Sequence, residues 1–138
     1  MKFVLEPDDH ETRRAVARLE LGPPFDIITV PPIGPRTKPK ALNAALASAR
    51  GSFTVDYDAE DVPEPDQLRR AFDAFMAADD RLACVQASLT IDNASDNCLT
   101  RLFAADYAGQ FDVFLTALAA MQLPLPLGGS SNHFRGIR

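Results

Sequence analysis

The stretch Ser52-Phe53-Thr54-Val55-Asp56-Tyr57-Asp58-Ala59-Glu60-Asp61 decides the fold class, because an apolar strand runs directly into a loop of acids. Residues 52–57 are rich in β-branched and aromatic side chains, which predicts a strand. Residues 65–78 then carry apolar side chains at helical spacing: Leu68, Ala71, Phe72 and Phe75. A strand that leads through a loop into a helix is the building unit of α/β domains.

The same alternation continues on both sides of this stretch. Further strands are predicted at residues 2–5, 25–30 and 83–91, with a last short strand within 123–134. Further helices are predicted at residues 11–21, 40–49 and 99–118. The pattern predicts an α/β fold with a mostly parallel sheet flanked by helices. Ligands bind beyond the carboxyl ends of such strands, so the candidate loops begin at Glu6, Pro31 and Asp58.

Composition fits one soluble domain over residues 1–138, with 46% apolar and 24% charged residues. The net charge of −5 argues against a nucleic-acid backbone as the main partner. No apolar run has the length of a signal peptide or a membrane span. Cys84 and Cys98 lack C-x-x-C spacing, so we expect buried free thiols in a reducing cytoplasm. The apolar stripe of the helix at 99–118 is expected in the core, or else against a membrane-proximal partner, and its exposure would favour self-association.

Charge is segregated along the chain. Residues 27–55 contain no acid but four bases, which are Arg36, Lys38, Lys40 and Arg50. Residues 56–66 contain six acids and no base. Either run of like charges, taken alone, is also typical of a surface that is simply exposed to solvent. Because both blocks follow predicted strands at one edge of a sheet, they predict a site for a divalent cation together with a phosphate-bearing ligand.

Asp58 and Glu60 stand two positions apart just after the strand. While the chain stays extended, side chains at that spacing point to the same side, about 6–7 Å apart along the backbone. Two carboxylates on one side suit Mg²⁺, which typically binds one or two carboxylates, substrate phosphates and water. The spacing therefore favours a metal that also binds a diphosphate.

Two segments resemble family 2 glycosyltransferases, in that family's order. The first is Lys38-Pro39-Lys40-Ala41-Leu42-Asn43-Ala44-Ala45-Leu46 with Arg50-Gly51, followed by Tyr57-Asp58-Ala59-Glu60-Asp61-Val62-Pro63-Glu64-Pro65. The second, Gly128-Gly129-Ser130-Ser131-Asn132-His133-Phe134-Arg135, is similar to the G-G-[ST]-S-N-x-F stretch of processive, membrane-associated bacterial members related to cellulose synthase.

The resemblance implies a partial GT-A nucleotide-sugar-binding domain that uses a UDP- or GDP-sugar, Mg²⁺ or Mn²⁺, and a saccharide or lipid acceptor. Position by position, it implies that Asp58 contacts the nucleotide-sugar and Glu60 the metal, with Asp61 as a substitute or support. It assigns Lys38, or Lys40 in another register, to the diphosphate. Glu6 or Asp9 would accept a hydrogen bond from the base, with Asp8 as a competitor. Ser131, Asn132 and His133 become acceptor-side candidates, or else a backbone-capping turn.

The family's T-E-D loop, which supplies the general base, and its Q-x-x-R-W segment do not occur in this sequence. The catalytic base is therefore expected beyond residue 138. We expect residues 1–138 to be one truncated domain, inactive alone, of an enzyme anchored at the cytoplasmic face of the inner membrane.

Two other classes of function stay open at this point. A nucleotidyltransferase or an aspartate-based phosphatase also places acids after a strand, and a binding or scaffold fragment would need no chemistry. With only His10 and His133 in the chain, a histidine-based zinc site or a Ser-His-Asp triad has little support.

Overall fold

The computed structural model describes residues 1–136, and the chain divides into two compact units. The first unit comprises Met1–Gly51, and the second begins at Ser52.

The first unit is built on a pair of parallel strands. Strand β1 (Lys2–Leu5) pairs with strand β2 (Asp26–Thr29), from Lys2 opposite Asp26 to Leu5 opposite Thr29. The N–H of Val30 continues the ladder by donating to the Leu5 carbonyl at 2.9 Å, and Val30 is buried. Both strands agree with the sequence prediction, because apolar and β-branched runs bounded by Gly and Pro are strong local signals.

Two helices follow these strands. Helix α1 spans His10–Arg18 and helix α2 spans Lys38–Leu46, which packs against β1. Helix α2 begins two residues earlier than predicted, because Pro39 is accommodated in its first turn, where a missing N–H costs nothing. Lys38 is therefore the first helical residue rather than part of the preceding loop.

Within residues 52–136, the second unit has three strands and three α-helical segments. The strands are β3 (Phe53–Asp56), β4 (Cys84–Gln86) and β5 (Asn132–Arg135). The helices are α3 (Gln67–Ala77), α4 (Cys98–Ala108) and α5 (Thr116–Ala120), with a π-helical segment at Gly109–Leu115 between the last two.

The predicted mostly parallel sheet is not confirmed by the pairing of the described strands. In the second unit β5 lies between β3 and β4 and is antiparallel to both. Strand β4 ends at Gln86, well before the predicted residue 91, and β5 occupies the place beside β3 that a parallel neighbour would take. The chain is thus a mixed α/β protein, with parallel pairing in the first unit and antiparallel pairing in the second.

Aromatic packing between α3 and the sheet forms the core of the second unit. Phe75 is 2% exposed, and its ring centroid lies 4.9 Å from that of Phe53. The Arg135 guanidinium covers both rings at 5.4 and 5.8 Å from their centroids. It also donates to the carbonyls of Phe75 (2.8 Å) and Leu82 (3.2 Å). These carbonyl hydrogen bonds, the ring faces and an ion pair with Asp80 at 2.9 Å therefore stabilise a half-buried cation.

The apolar stripe of the predicted helix at 99–118 is only partly in the core, which corrects the main expectation. Phe111 and Leu115 are buried, whereas four members of the stripe are more than half exposed: Leu99, Leu102, Phe103 and Phe114. The helix changes to π geometry at Gly109. Because a π-helical hydrogen bond spans one more residue than an α-helical one, the apolar residues after Gly109 are rotated relative to those before it. Among the described helices, none combines the length and apolar character that a membrane crossing requires.

Both cysteines are free thiols, but only one is shielded. Cys84 is half-buried in β4, and burial, followed by the nearby Asp56 charge, raises the pKa of its thiol. Cys98 at the start of α4 is exposed, so the expectation of two buried thiols was wrong for this residue.

Candidate functional site

The loops that follow β1 and β2 carry the candidate residues of the first unit. Asp8, in the loop after β1, forms an ion pair with Arg36 of the basic loop. This contact joins the two loops at the carboxyl end of the parallel pair, where ligands bind in sheets of this kind. Lys38 and Lys40 lie just beyond, half-buried in the first turn of α2.

The three acids considered for the base-reading role have different surroundings. Asp9 caps helix α1, since its carboxylate accepts the Thr12 N–H at 3.0 Å. These hydrogen bonds from Thr12 lower the pKa of Asp9. Asp8 is paired with Arg36. Glu6 takes part in neither contact, is half-buried, and directly follows β1. Asp9 and Asp8 therefore have structural roles, as a helix cap and an ion-pair partner. This favours Glu6 over both of them for ligand recognition.

The acidic loop after β3 is held by a compact hydrogen-bond network in the second unit. The Asp58 N–H donates to Asp61 Oδ2 at 2.8 Å and also lies 3.2 Å from Ser130 Oγ. The Asp61 N–H returns to the Asp58 carbonyl at 3.2 Å, and Ser130 Oγ donates to the Asp61 carboxylate. Asp58 is half-buried and Glu60 is exposed. The network turns the chain sharply, so the two carboxylates are presented on a fixed turn rather than on an extended strand.

The segment that leads into β5 makes further hydrogen bonds on the other side of this network. Ser131 has a positive φ of 58°, and its N–H donates to the Asp56 carbonyl at 2.9 Å. Asn132 Nδ2 donates to the Gly128 carbonyl at 2.8 Å. Residues 130–133 are each 3–4% exposed. The acceptor-side candidates Ser131, Asn132 and His133 thus form a buried turn and strand start, as in the backbone-capping alternative.

Strand alternation places His133 and Asn132 on opposite faces of the sheet. His133 faces α3: its ring meets that of Tyr57 edge-on at 6.3 Å, and its Nδ1 lies 3.1 Å from the Val85 carbonyl. His133 also lines two cavities of about 200 and 340 Å³ against α3, neither of which is lined by Asp58 or Glu60. Burial, followed by the Asp61 charge, raises the pKa of Tyr57.

On the other face Asn132 pairs in register with Asp56 and Gln86, which forms a polar row across the three strands. Asn132 Oδ1 and Gln86 Nε2 are buried, and neither has a hydrogen-bond partner within residues 1–136. Sequence reasoning missed Gln86, Tyr57 and Ser130 as members of this region. Tyr57 and Ser130 stand in the two family-like segments, but the proximity of these segments to Gln86 comes from the pairing of strands far apart in sequence.

Gly128 offers a direct test of how tightly this region is packed. A Cβ at residue 128 would overlap the amide end of Gln86, whereas no described atom lies within 4 Å of a Cβ at residue 129. We therefore expect Gly128→Ala to lower the free energy of unfolding by about 1 kcal/mol, measured by urea unfolding. Gly129→Ala, the matched control, should change it by less than about 0.5 kcal/mol. Truncation of Gln86 to Ala should remove the cost of Gly128→Ala, and an undiminished cost would contradict the overlap.

No group of three or more His, Cys, Asp or Glu side chains within residues 1–136 is arranged to hold a metal ion. Asp58 and Glu60 supply carboxylate oxygens, and hard cations such as Mg²⁺ need only one or two of these when substrate phosphates complete the coordination. Asp58 and Glu60 are therefore donors of the chemical type that such a cation takes.

Comparison with known proteins identifies the family. A family model described as "Glycosyltransferase like family 2" matches residues 2–133, which is nearly the whole chain. No curated protein and no solved structure matches the chain significantly. The match covers both units and includes β1, the basic loop, the acidic loop and the turn before β5. The chain therefore belongs to the glycosyltransferase-like family 2, and its function is of the glycosyltransferase type.

Proposed function

We propose that the chain is the donor-binding part of a glycosyltransferase that takes a UDP- or GDP-sugar with Mg²⁺ or Mn²⁺ and transfers the sugar to a saccharide or lipid acceptor. The observation that carries the proposal is the acidic turn after β3, where hydrogen bonds to Asp61 and Ser130 fix the backbone of Asp58. The family match over residues 2–133 supports the reaction class. A GT-A arrangement is part of the proposal.

In the first unit we assign recognition of the base to Glu6 and of the diphosphate to Lys38. An ionised carboxylate only accepts hydrogen bonds, so Glu6 would pair with a protonated ring nitrogen on the base edge, which uracil (N3–H) and guanine (N1–H) have and adenine lacks. Asp9 is the second candidate for this role. The Lys38 ammonium, at the start of α2, supplies positive charge for the diphosphate, and the helix N-terminus adds to it.

In the second unit we assign the nucleotide-sugar to Asp58 and the cation to Glu60, with Asp58 as a further metal candidate and Asp61 as support for the turn. When bound, the cation neutralises charge on the departing diphosphate as a Lewis acid. The chain's own contribution is to orient the sugar and to hold two carboxylates at a fixed turn. Ser131, Asn132 and His133 would act on the acceptor side by shaping the turn, since their side chains are buried.

The resemblance to cellulose-synthase-like enzymes extends the proposal to the whole protein. We propose that it is anchored at the cytoplasmic face of the inner membrane, acts in polysaccharide synthesis, and carries its general base outside residues 1–138. The exposed Leu99, Leu102 and Phe103 favour self-association of the isolated chain. Under this proposal the isolated chain binds donor but does not transfer sugar.

Titration of the ¹⁵N-labelled chain with UDP and Mg²⁺ tests the proposal. We expect the amide signals of Glu6, Lys38, Asp58 and Glu60 to shift, and traces of Mn²⁺ to broaden the Glu60 signal first. ADP is the matched control: it keeps the diphosphate but changes the base, so it should shift Lys38 and Asp58 while leaving Glu6 in place. GDP with Mg²⁺ is titrated in the same way, and the absence of shifts at these residues with both UDP and GDP would count against donor binding.

A further inference from the structure

The Asp61 carboxylate is already engaged by two donors from different parts of the second unit. Its Oδ2 accepts the Asp58 N–H at 2.8 Å and the hydroxyl of Ser130, which lies 69 residues further along the chain. The Asp58 N–H also lies 3.2 Å from Ser130 Oγ, so the three groups form a closed triangle. Hydrogen bonds to an ionised acceptor are about twice as strong as those between neutral groups.

The Ser130 corner of this triangle is itself immobilised. Ser130 is 3% exposed, and the next residue donates its N–H to the Asp56 carbonyl at 2.9 Å. On the far side of the turn, the Ala87 N–H donates to the Ser131 carbonyl at 3.0 Å. The hydroxyl that reaches Asp61 is therefore anchored to both outer strands of the sheet. Because Ser130 is held in place, the Asp61 carboxylate that accepts its hydroxyl is not free to rotate toward a cation.

We propose that Asp61 and Ser130 form a clamp that positions Asp58 for the nucleotide-sugar, and that Asp61 is a positioning residue rather than a metal ligand. The inference rests on the proposed donor-binding function and deepens it. The clamp fixes the backbone N–H of Asp58 and with it the direction in which the Asp58 side chain leaves the turn. The hydrogen bond between Ser130 and Asp61 also connects the acidic loop after β3 to the segment that leads into β5.

Two substitutions separate positioning from metal binding. Ser130→Ala removes the hydroxyl donor but leaves the Asp61 carboxylate in place, and Asp61→Asn removes the charge but keeps an acceptor oxygen. We expect each to weaken UDP–Mg²⁺ binding by about tenfold in calorimetric titration, as substitutions behind a ligand commonly do. The double variant should lose no more than about the larger single effect, because both changes break one network. Ser130→Thr, which keeps the hydroxyl, should restore most of the affinity.

Ser95→Ala and Asp92→Asn are the matched controls, since both residues are exposed in the same unit and lie away from the network. Neither should change the affinity. If Asp61 were a metal ligand, Asp61→Asn alone would weaken binding, and Ser130→Ala would leave it unchanged or strengthen it. That pattern would overturn the proposal. Urea unfolding of each variant establishes that the chain remains folded.

The ligand-free chain supplies a second readout that does not depend on donor binding. In the clamp the Asp58 amide hydrogen is protected from exchange, and both substitutions should accelerate its exchange at least about fivefold. An Asp58 amide that is unprotected, or unaffected by both substitutions, would overturn the clamp. A wild-type chain that shows the protected amide but binds neither UDP nor GDP would refute the donor-binding function and, with it, the positioning role.

Discussion

Asp58→Asn is expected to weaken the binding of UDP with Mg²⁺ by about 100-fold or more, the largest binding effect of any single substitution in the chain. Removal of a group that contacts the ligand should exceed the tenfold to 100-fold losses seen for groups behind it. The substitution keeps the size of the side chain and the backbone N–H that donates to Asp61. The loss therefore reports on the carboxylate charge. Calorimetric titration of the two proteins measures it.

Glu60→Gln separates the cation from the nucleotide in the same assay. It should abolish the gain in UDP affinity that Mg²⁺ provides while leaving the affinity for UDP alone nearly unchanged. Asp73→Asn on the exposed side of α3 is the matched control and should match the wild-type chain. If Asp73→Asn weakened binding as much as Asp58→Asn, the effect would reflect net charge, and the assignment of Asp58 would be wrong.

Phe75→Ala is expected to lower the free energy of unfolding by about 3–5 kcal/mol, the largest single effect on stability. Phe75 is 2% exposed, contacts the ring of Phe53, and lies under the Arg135 guanidinium. Truncation leaves a cavity and also removes the ring face that covers the cation. Urea unfolding followed by circular dichroism measures the change.

Phe72→Ala is the matched control for this prediction. Phe72 lies in the same helix and meets Phe53 edge-on at 5.6 Å, but its side chain is 48% exposed. We expect a loss of about 1 kcal/mol, because only part of the ring is removed from water on folding. Phe75→Ala can unfold a marginally stable chain, so the milder variant Phe75→Leu is measured as well. We expect Phe75→Leu to lower the free energy of unfolding by about 1.5 kcal/mol. A loss for Phe72→Ala equal to that for Phe75→Ala would place the core elsewhere.

Local features of this protein could be predicted from sequence because neighbouring residues encode them. Strand β1 was predicted with its observed bounds, and β2 and β3 to within one residue at each end, since each is a short apolar run between turn-forming residues. The acidic turn was predicted because it directly follows β3. The family resemblance was recognised from contiguous segments, and the match over residues 2–133 confirms it at the family level.

Features that depend on distant residues were not predictable in the same way. The insertion of β5 between β3 and β4 depends on which strand edges meet, and periodicity within a strand does not encode that choice. The contact between Asp61 and Ser130 spans 69 residues. Burial of the acceptor-side candidates follows from β5 being a central strand, and the polar character of these residues does not encode that position. The assignments of ligand and metal residues remain predictions.

The central position of β5 has a consequence for the order in which the second unit can assemble during synthesis. Strands β3 and β4 are each hydrogen-bonded to β5, and β5 is the last of the three to leave the ribosome. The sheet therefore has to wait for residues 132–135, although β3 ends 76 residues and α3 ends 55 residues before β5 begins. Contacts of such large sequence separation are slow to form because a long loop must close first. The acidic turn acquires its partner Ser130 only in that late step, so donor-binding geometry should appear among the last events of folding.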